Sequence, residues 1–256
     1  MFPLCVQAGL LTYMFAYEVS AHGDDYNHWA LKITTTRPDG SQLIAYNNFI
    51  GQTMLTDLAS GSDHWINFHQ FDGQALETLH AMPSAVVGYD DTQADLGVVL
   101  KANAGLIHLT EYYATTTATP TTPGGAAGYV QFRKLSEGAS GTPIAQSETT
   151  YIQRPAGVVT IYPVAEMTVF RDDAGTEPIA TSFDYTWFSG TAQIEQRTTT
   201  LPVVPTGQNG AGGIDTVTEI FDEEGNLVWR RDARGYITQS VFDRRQQGAI
   251  HPAVSR

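Results

Sequence analysis

Paired carboxylates, clustered histidines and scattered tryptophans are the side chains through which this chain could do chemistry. Three Asp-Asp pairs, Asp24-Asp25, Asp90-Asp91 and Asp172-Asp173, carry the hard oxygen ligands that Ca²⁺ takes from loops. None has the spacing of a complete calcium loop, so each reads as solvated turn carboxylates, and Glu223-Glu224 reads the same way. Hydrolysis by paired carboxylates would need two of them converging in one cleft, about 5–10 Å apart. His22 and His28 flank the first acidic pair, and His64 and His69 flank Trp65. Imidazoles ligate metals and shuttle protons near neutral pH, but neither spacing is diagnostic, and polar strand positions account for both pairs. Trp65, Trp187 and Trp229 each lie in a strand pattern. An exposed indole would stack on a sugar ring; a buried one fills space between sheets, which is the commoner use. The sequence holds no nucleophile elbow, phosphate-cradling glycine loop, zinc-protease helix motif or dinucleotide fingerprint. The expectation is a protein without catalytic residues, metal ligands or cofactor.

The elements that would position these side chains follow from composition and pattern. In 256 residues, 42% are hydrophobic and only 16% charged, a balance that suits half-buried strands better than helices, whose wet faces carry Glu and Lys. The net charge of -13 repels phosphate backbones and anionic membrane surfaces alike, so nucleic acid is not an expected partner; no run of eighteen apolar residues occurs, so membrane insertion is not expected. One cysteine, Cys5, excludes an internal disulfide and a thiolate metal cluster. Residues 1–20 are apolar, yet no basic residue precedes them, and Tyr13, Phe15, Tyr17 and Val19 alternate with their neighbours. That pattern predicts a strand rather than a signal peptide, so an export signal would lie upstream.

Alternation recurs in Leu31-Lys32-Ile33-Thr34, Trp65-Ile66-Asn67-Phe68, Val158-Val159-Thr160-Ile161-Tyr162 and Phe183-Asp184-Tyr185-Thr186-Trp187. Turn signals separate such runs: Pro38-Asp39-Gly40, Asp72-Gly73, Asp173-Ala174-Gly175 and Glu224-Gly225-Asn226. The best helical candidate is short, at 91–100. These signals divide the chain into a divergent strand region at 1–114, a Thr/Pro/Gly-rich loop or linker at 115–128, a second strand region at 129–204, a Gly-rich loop at 205–213, and repeat hairpins at 214–246.

The last region carries a specific motif. Phe221-Asp222 is followed by Gly225, then by Leu227 and Trp229 on one strand face, then by the second turn Asp232-Ala233-Arg234-Gly235. Phe242-Asp243 returns the pair after twenty-one residues, enough for two short strands and two turns. In each turn the Asp can accept hydrogen bonds from the turn backbone while the Gly takes a left-handed conformation. A hairpin of this size cannot bury its face alone and needs neighbours.

At these residues the chain resembles the YD-repeat, or RHS-repeat, family, with Phe in place of the usual Tyr at positions 221 and 242. Weaker versions stand at Phe71-Asp72-Gly73 and at Phe170-Arg171-Asp172-Asp173-Ala174-Gly175, and segments around Thr53-Met54-Leu55, Tyr89-Asp90-Asp91 and Thr198-Thr199-Thr200 look like parts of large bacterial surface proteins of that family. The resemblance implies an all-β fold of antiparallel β-hairpin repeats forming a curved or spiralling sheet strip, part of a hollow shell that in some members encloses a C-terminal toxin. The family's Asp-Pro-x-Gly motif of the self-cleavage region is missing, as is a toxin-like tail, so the chain would supply wall rather than cargo. Expected partners are the rest of one long polypeptide and an encapsulated toxin domain. A cell-wall or extracellular glycan is the partner in the alternative reading, an adhesion module; the location would be the cell surface or the outside of the cell. Sheet edges left open at both ends would make the isolated chain prone to associate.

Overall fold

The computed structural model describes residues 4–8, 11–243 and 246–255. It divides into two compact units, the first made of residues 1–111 and 132–145, the second of residues 112–131 and 146–256. Among the described residues there is no α-helix, and no helix long and apolar enough to cross a membrane. The fold is the all-β, antiparallel one expected from the alternating pattern.

The chain enters through β1 (Leu4–Ala8), β2 (Leu11–Val19), β3 (Leu31–Thr36), β4 (Gln42–Asn47), β5 (Thr53–Ser60), β6 (Asp63–Phe71) and β7 (Glu77–Ala81). Each pairs antiparallel with the next. The small hairpin of β8 (Val86–Gly88) and β9 (Val99–Leu100) follows, and β10 (Leu106–Tyr112) then pairs antiparallel with β7. Next come β11 (Val130–Glu137) and β12 (Ile144–Tyr151).

The second unit repeats the scheme. After the hairpin of β13 (Arg154–Ala156) and β14 (Val159–Ile161), β12 pairs with β15 (Val164–Phe170). From there β16 (Pro178–Trp187), β17 (Ile194–Thr200), β18 (Thr216–Phe221), β19 (Leu227–Arg231), β20 (Ile237–Asp243) and β21 (Gln246–Ser255) each pair with the strand before. Most neighbours in sequence are neighbours in the sheet because most connections are short turns, which antiparallel pairing permits; residues 20–30 and 201–215 make longer connections between β2 and β3 and between β17 and β18.

The first unit has a dense core on one sheet face: Tyr46, Met54, Leu55, Ile66, Phe68, Ala81 and Ile107 pack with Trp29, Ala85, Val86 and Leu96. Period two puts these strand residues on one face, apart from Met54, which stands where the register of β4 and β5 slips, and the segment between β7 and β10 folds over them. Residues 91–100, the helical candidate, form successive turns and the short β9 instead. The carboxylates of Asp90 and Asp95 accept the backbone N–H groups of Thr92 and Gly97, which favours turns over helix, and Leu96 at φ 65 drops into the core. In the second unit the buried apolar residues among those described are small or few, Ala118, Ala126, Tyr151 and Ala165, while most strand residues are half-buried. There the segment 115–128 is tied down: Gly124 bridges to Tyr151, and Thr117 Oγ1 accepts the Gly125 N–H.

Candidate functional site

The repeat residues build one type of turn. Asp222 N–H donates to Asn226 O, Asp222 O accepts the Gly225 N–H at 3.0 Å, and Asp222 Oδ1 accepts the N–H groups of Glu224 and Asn226. Gly225 has φ 84. Asp232 makes the same set with Gly235 (φ 85), Arg234 and Tyr236. This is the three-residue hairpin loop that ends in a left-handed residue. Hydrogen bonds to the charged form hold the Asp222 carboxyl below the usual carboxylate range, those from Asn226 foremost. Leu227 and Trp229 are both half-buried, and Trp229 lies opposite Ile220 and Gln239. Phe242 and Asp243 close β20; the turn after them falls outside the described residues.

The same turn recurs in the first unit. Asp72 accepts from Ala75, Gln74 and Leu76, with Ala75 at φ 63 in the glycine's place. Asn48, not singled out from sequence, does likewise with Gly51 and Gln52; its signal was an Asn followed by Gly three residues later. In the second unit Asp172 accepts the N–H of Gly175 and the N–H and hydroxyl of Thr176.

The other sequence candidates are dispersed. Trp65, on β6 in the first unit, is 47% exposed. Trp187, in the second, is half-buried, stacked on Tyr185 with centroids 5.4 Å apart and covered by the Arg154 guanidinium at 5.2 Å. Asp25 caps its own loop by accepting the Asn27 N–H. His22 lies edge-on to Trp29, and His28 Nδ1 is 3.1 Å from Gly23 O. His64 and His69, five residues apart on β6, point to opposite sheet faces, as period two requires.

His64 instead joins a polar cleft of about 460 Å³ lined by His64, Ile66, Val87, Gly88, Tyr89, Asp90 and Asp91. Asp57, bonded to two of these lining residues, is wholly buried, with Oδ2 2.7 Å from His64 Nδ1 and accepting the Tyr89 hydroxyl at 3.3 Å. Asp57 Oδ1 is buried without a hydrogen-bond partner. Beside it Asp91 Oδ2 accepts from Lys32 Nζ at 2.6 Å and from the Tyr46 hydroxyl at 2.9 Å. Lys32 holds the Asp91 carboxyl below its ordinary range. Burial pushes Tyr89 up to about 12 and Tyr46 further still, so both phenols stay neutral donors. The arrangement can hold a proton between carboxylate and imidazole. Sequence offered little sign of this cleft, because Asp57 stands inside an apolar strand pattern.

No family model matches the chain, and no curated protein matches it. Similar solved structures are chains of Tc toxin complexes. A crystal structure of TcdB2-TccC3-Cdc42 matches at 12% identity and a TM-score of 0.39, and one of TcdB2-TccC3 without the hypervariable C-terminal region at 11% and 0.38. A chain of the Photorhabdus luminescens Tc holotoxin pore matches at 12% and 0.37. Each match covers 95% of this chain but only 14% of the other, so the chain spans about a seventh of their length.

Proposed function

We propose that the chain is a non-catalytic wall segment of a larger RHS-type β-shell. The observation that carries this reading is the recurrence of one capped hairpin turn, at Asn48, Asp72, Asp222 and Asp232, between strands that each pair with the next. A sheet grown by repeating hairpins has no natural end, and its information lies in turns rather than in a reactive centre. Its partners are then the neighbouring strands of one long polypeptide and the toxin domain that such a shell encloses, at the cell surface or outside the cell. The test is the reading frame on either side of these residues. Further aromatic-Asp-x-x-Gly hairpins flanking them on both sides are expected; a frame without them would sink the proposal.

One observation favours a second reading, a glycan-binding module: the exposed indole of Trp65. It predicts that Trp65→Ala abolishes retention on insoluble cell-wall glycan while leaving the fold intact, and equal retention of both forms would dismiss it.

A further inference from the structure

Three histidines stand side by side on neighbouring strands of the first unit. His69 on β6 lies opposite His80 on β7, and His80 lies opposite His108 on β10. The rings of His69 and His80 stack with centroids 4.1 Å apart and planes 15° from parallel; His108 is 5.9 Å from His80. These residues alternate with Phe68, Ala81, Leu79, Ile107 and Leu109, which pack into or against the core, so the row occupies the opposite face of the sheet.

Two details set His69 and His80 apart from the rest of the sheet face. The register of β6 and β7 slips between Gln70 and Phe71, leaving Thr78 unpaired. Such a bulge re-aims side chains, and Glu77 reaches the histidine face, with Oε2 3.0 Å from His69 Nδ1. The second detail is His80 Nε2, which is buried and makes no hydrogen bond. An unpaired buried polar atom destabilises the fold unless something binds it. One donor atom from each of His69, Glu77 and His80 lies within 4.8 Å of the other two. His69 and Glu77 side chains remain 20% and 42% exposed, which leaves a way in from solvent.

We infer that His69, Glu77 and His80 bind a divalent transition-metal ion of the zinc type, with water completing the coordination. Two imidazoles and one carboxylate match the borderline preference of Zn²⁺ and are too few and too nitrogen-rich for Ca²⁺, which takes six to eight oxygens. Zinc-bound donors stand about 3.4 Å apart in a tetrahedral site with bonds near 2.0–2.1 Å. Reaching that spacing requires the stacked rings to rotate, because the in-plane lone pairs of parallel rings do not converge. Binding therefore unstacks His69 from His80 and replaces the bond between His69 Nδ1 and Glu77. His108 belongs to the row but not to the cluster of three.

The test is a titration of the tag-free chain with Zn²⁺ by calorimetry, and with Co²⁺ followed by its visible absorption. One equivalent should bind, and the cobalt form should show the strong bands of four-coordination. His80→Gln or Glu77→Gln should weaken zinc binding by more than the ~10–100-fold that loss of an outer-shell partner costs, whereas His108→Gln should leave it nearly unchanged. Glu77→Gln keeps the side chain's size and serves where His80→Gln fails to fold, as judged by circular dichroism. Zn²⁺ should also raise the melting temperature of the parent but not of the variant carrying all three changes, His69→Gln, Glu77→Gln and His80→Gln. Absence of saturable binding by the parent overturns the assignment. So does binding that survives in the triple variant, or that disappears in His108→Gln but not in Glu77→Gln.

Discussion

At the scale of single residues, the recurring turn is a small device with separable parts. Gly225 and Gly235 lie at φ 84 and 85, and a Cβ at either would meet nothing within 4 Å. The cost of replacing them is therefore conformational alone. Gly235→Val should lower stability by about 1–2 kcal/mol, and Gly235→Asn by much less, because Asn tolerates the left-handed region. Chemical denaturation of the two variants checks this, and equal losses would contradict it. Ala75 supplies the converse case, since at φ 63 it already bears that strain. Ala75→Gly should stabilise the first unit by roughly 0.5–1 kcal/mol, the relieved strain being partly offset by the greater freedom of glycine in the unfolded chain. Acid sensitivity belongs to this scale as well. Hydrogen bonds from Thr176 and Asn226 hold the carboxyls of Asp172 and Asp222 below the ordinary carboxylate range. A depressed folded-state value contributes stability above the unfolded value that is lost as pH falls through the folded one. The variant Asp172→Asn/Asp222→Asn should therefore lose stability less steeply than the parent below about pH 4, as thermal melts across pH 2–6 would show.

At the scale of elements, strand periodicity and bulges decide which side chains meet. β6 sends His64 into the cleft with Asp57 and His69 to the opposite face with His80, so histidines that look like one cluster in sequence serve two places. The segment between β7 and β10 then covers the core, held where Gly105 passes the backbone of Ser84 and Ala85. A Cβ on Gly105 would lie 2.3 Å from Ala85 Cα, and its φ is 86. Gly105→Ala should therefore lift this cover from the sheet and destabilise the first unit by several times the cost of a purely conformational change, about 3 kcal/mol or more. Hydrogen exchange should localise the loss to residues 82–105 first, and uniform loss across the unit would argue against a separately docked cover.

At the scale of the whole molecule, a net charge of -13 on 256 residues makes self-repulsion a standing cost. Salt screens it, so the melting temperature should be higher at 0.5 M than at 20 mM NaCl, and a flat response would show that the acidic groups lie too far apart to repel. All-β character, antiparallel pairing and the turns at Asp222 and Asp232 were legible in the sequence, because alternation and Asp-x-x-Gly spacing are local and carry their own stereochemistry. The turn at Asn48 obeys the same local rule and was readable in principle. The sequence could not show that Asp57 is buried against His64 and Tyr89, or that His69, Glu77 and His80 converge. Those meetings depend on which strand pairs with which, in what register, and on one slipped residue at Thr78. A one-residue change of register moves every side chain to the other face, so local pattern cannot specify them and only the assembled sheet does.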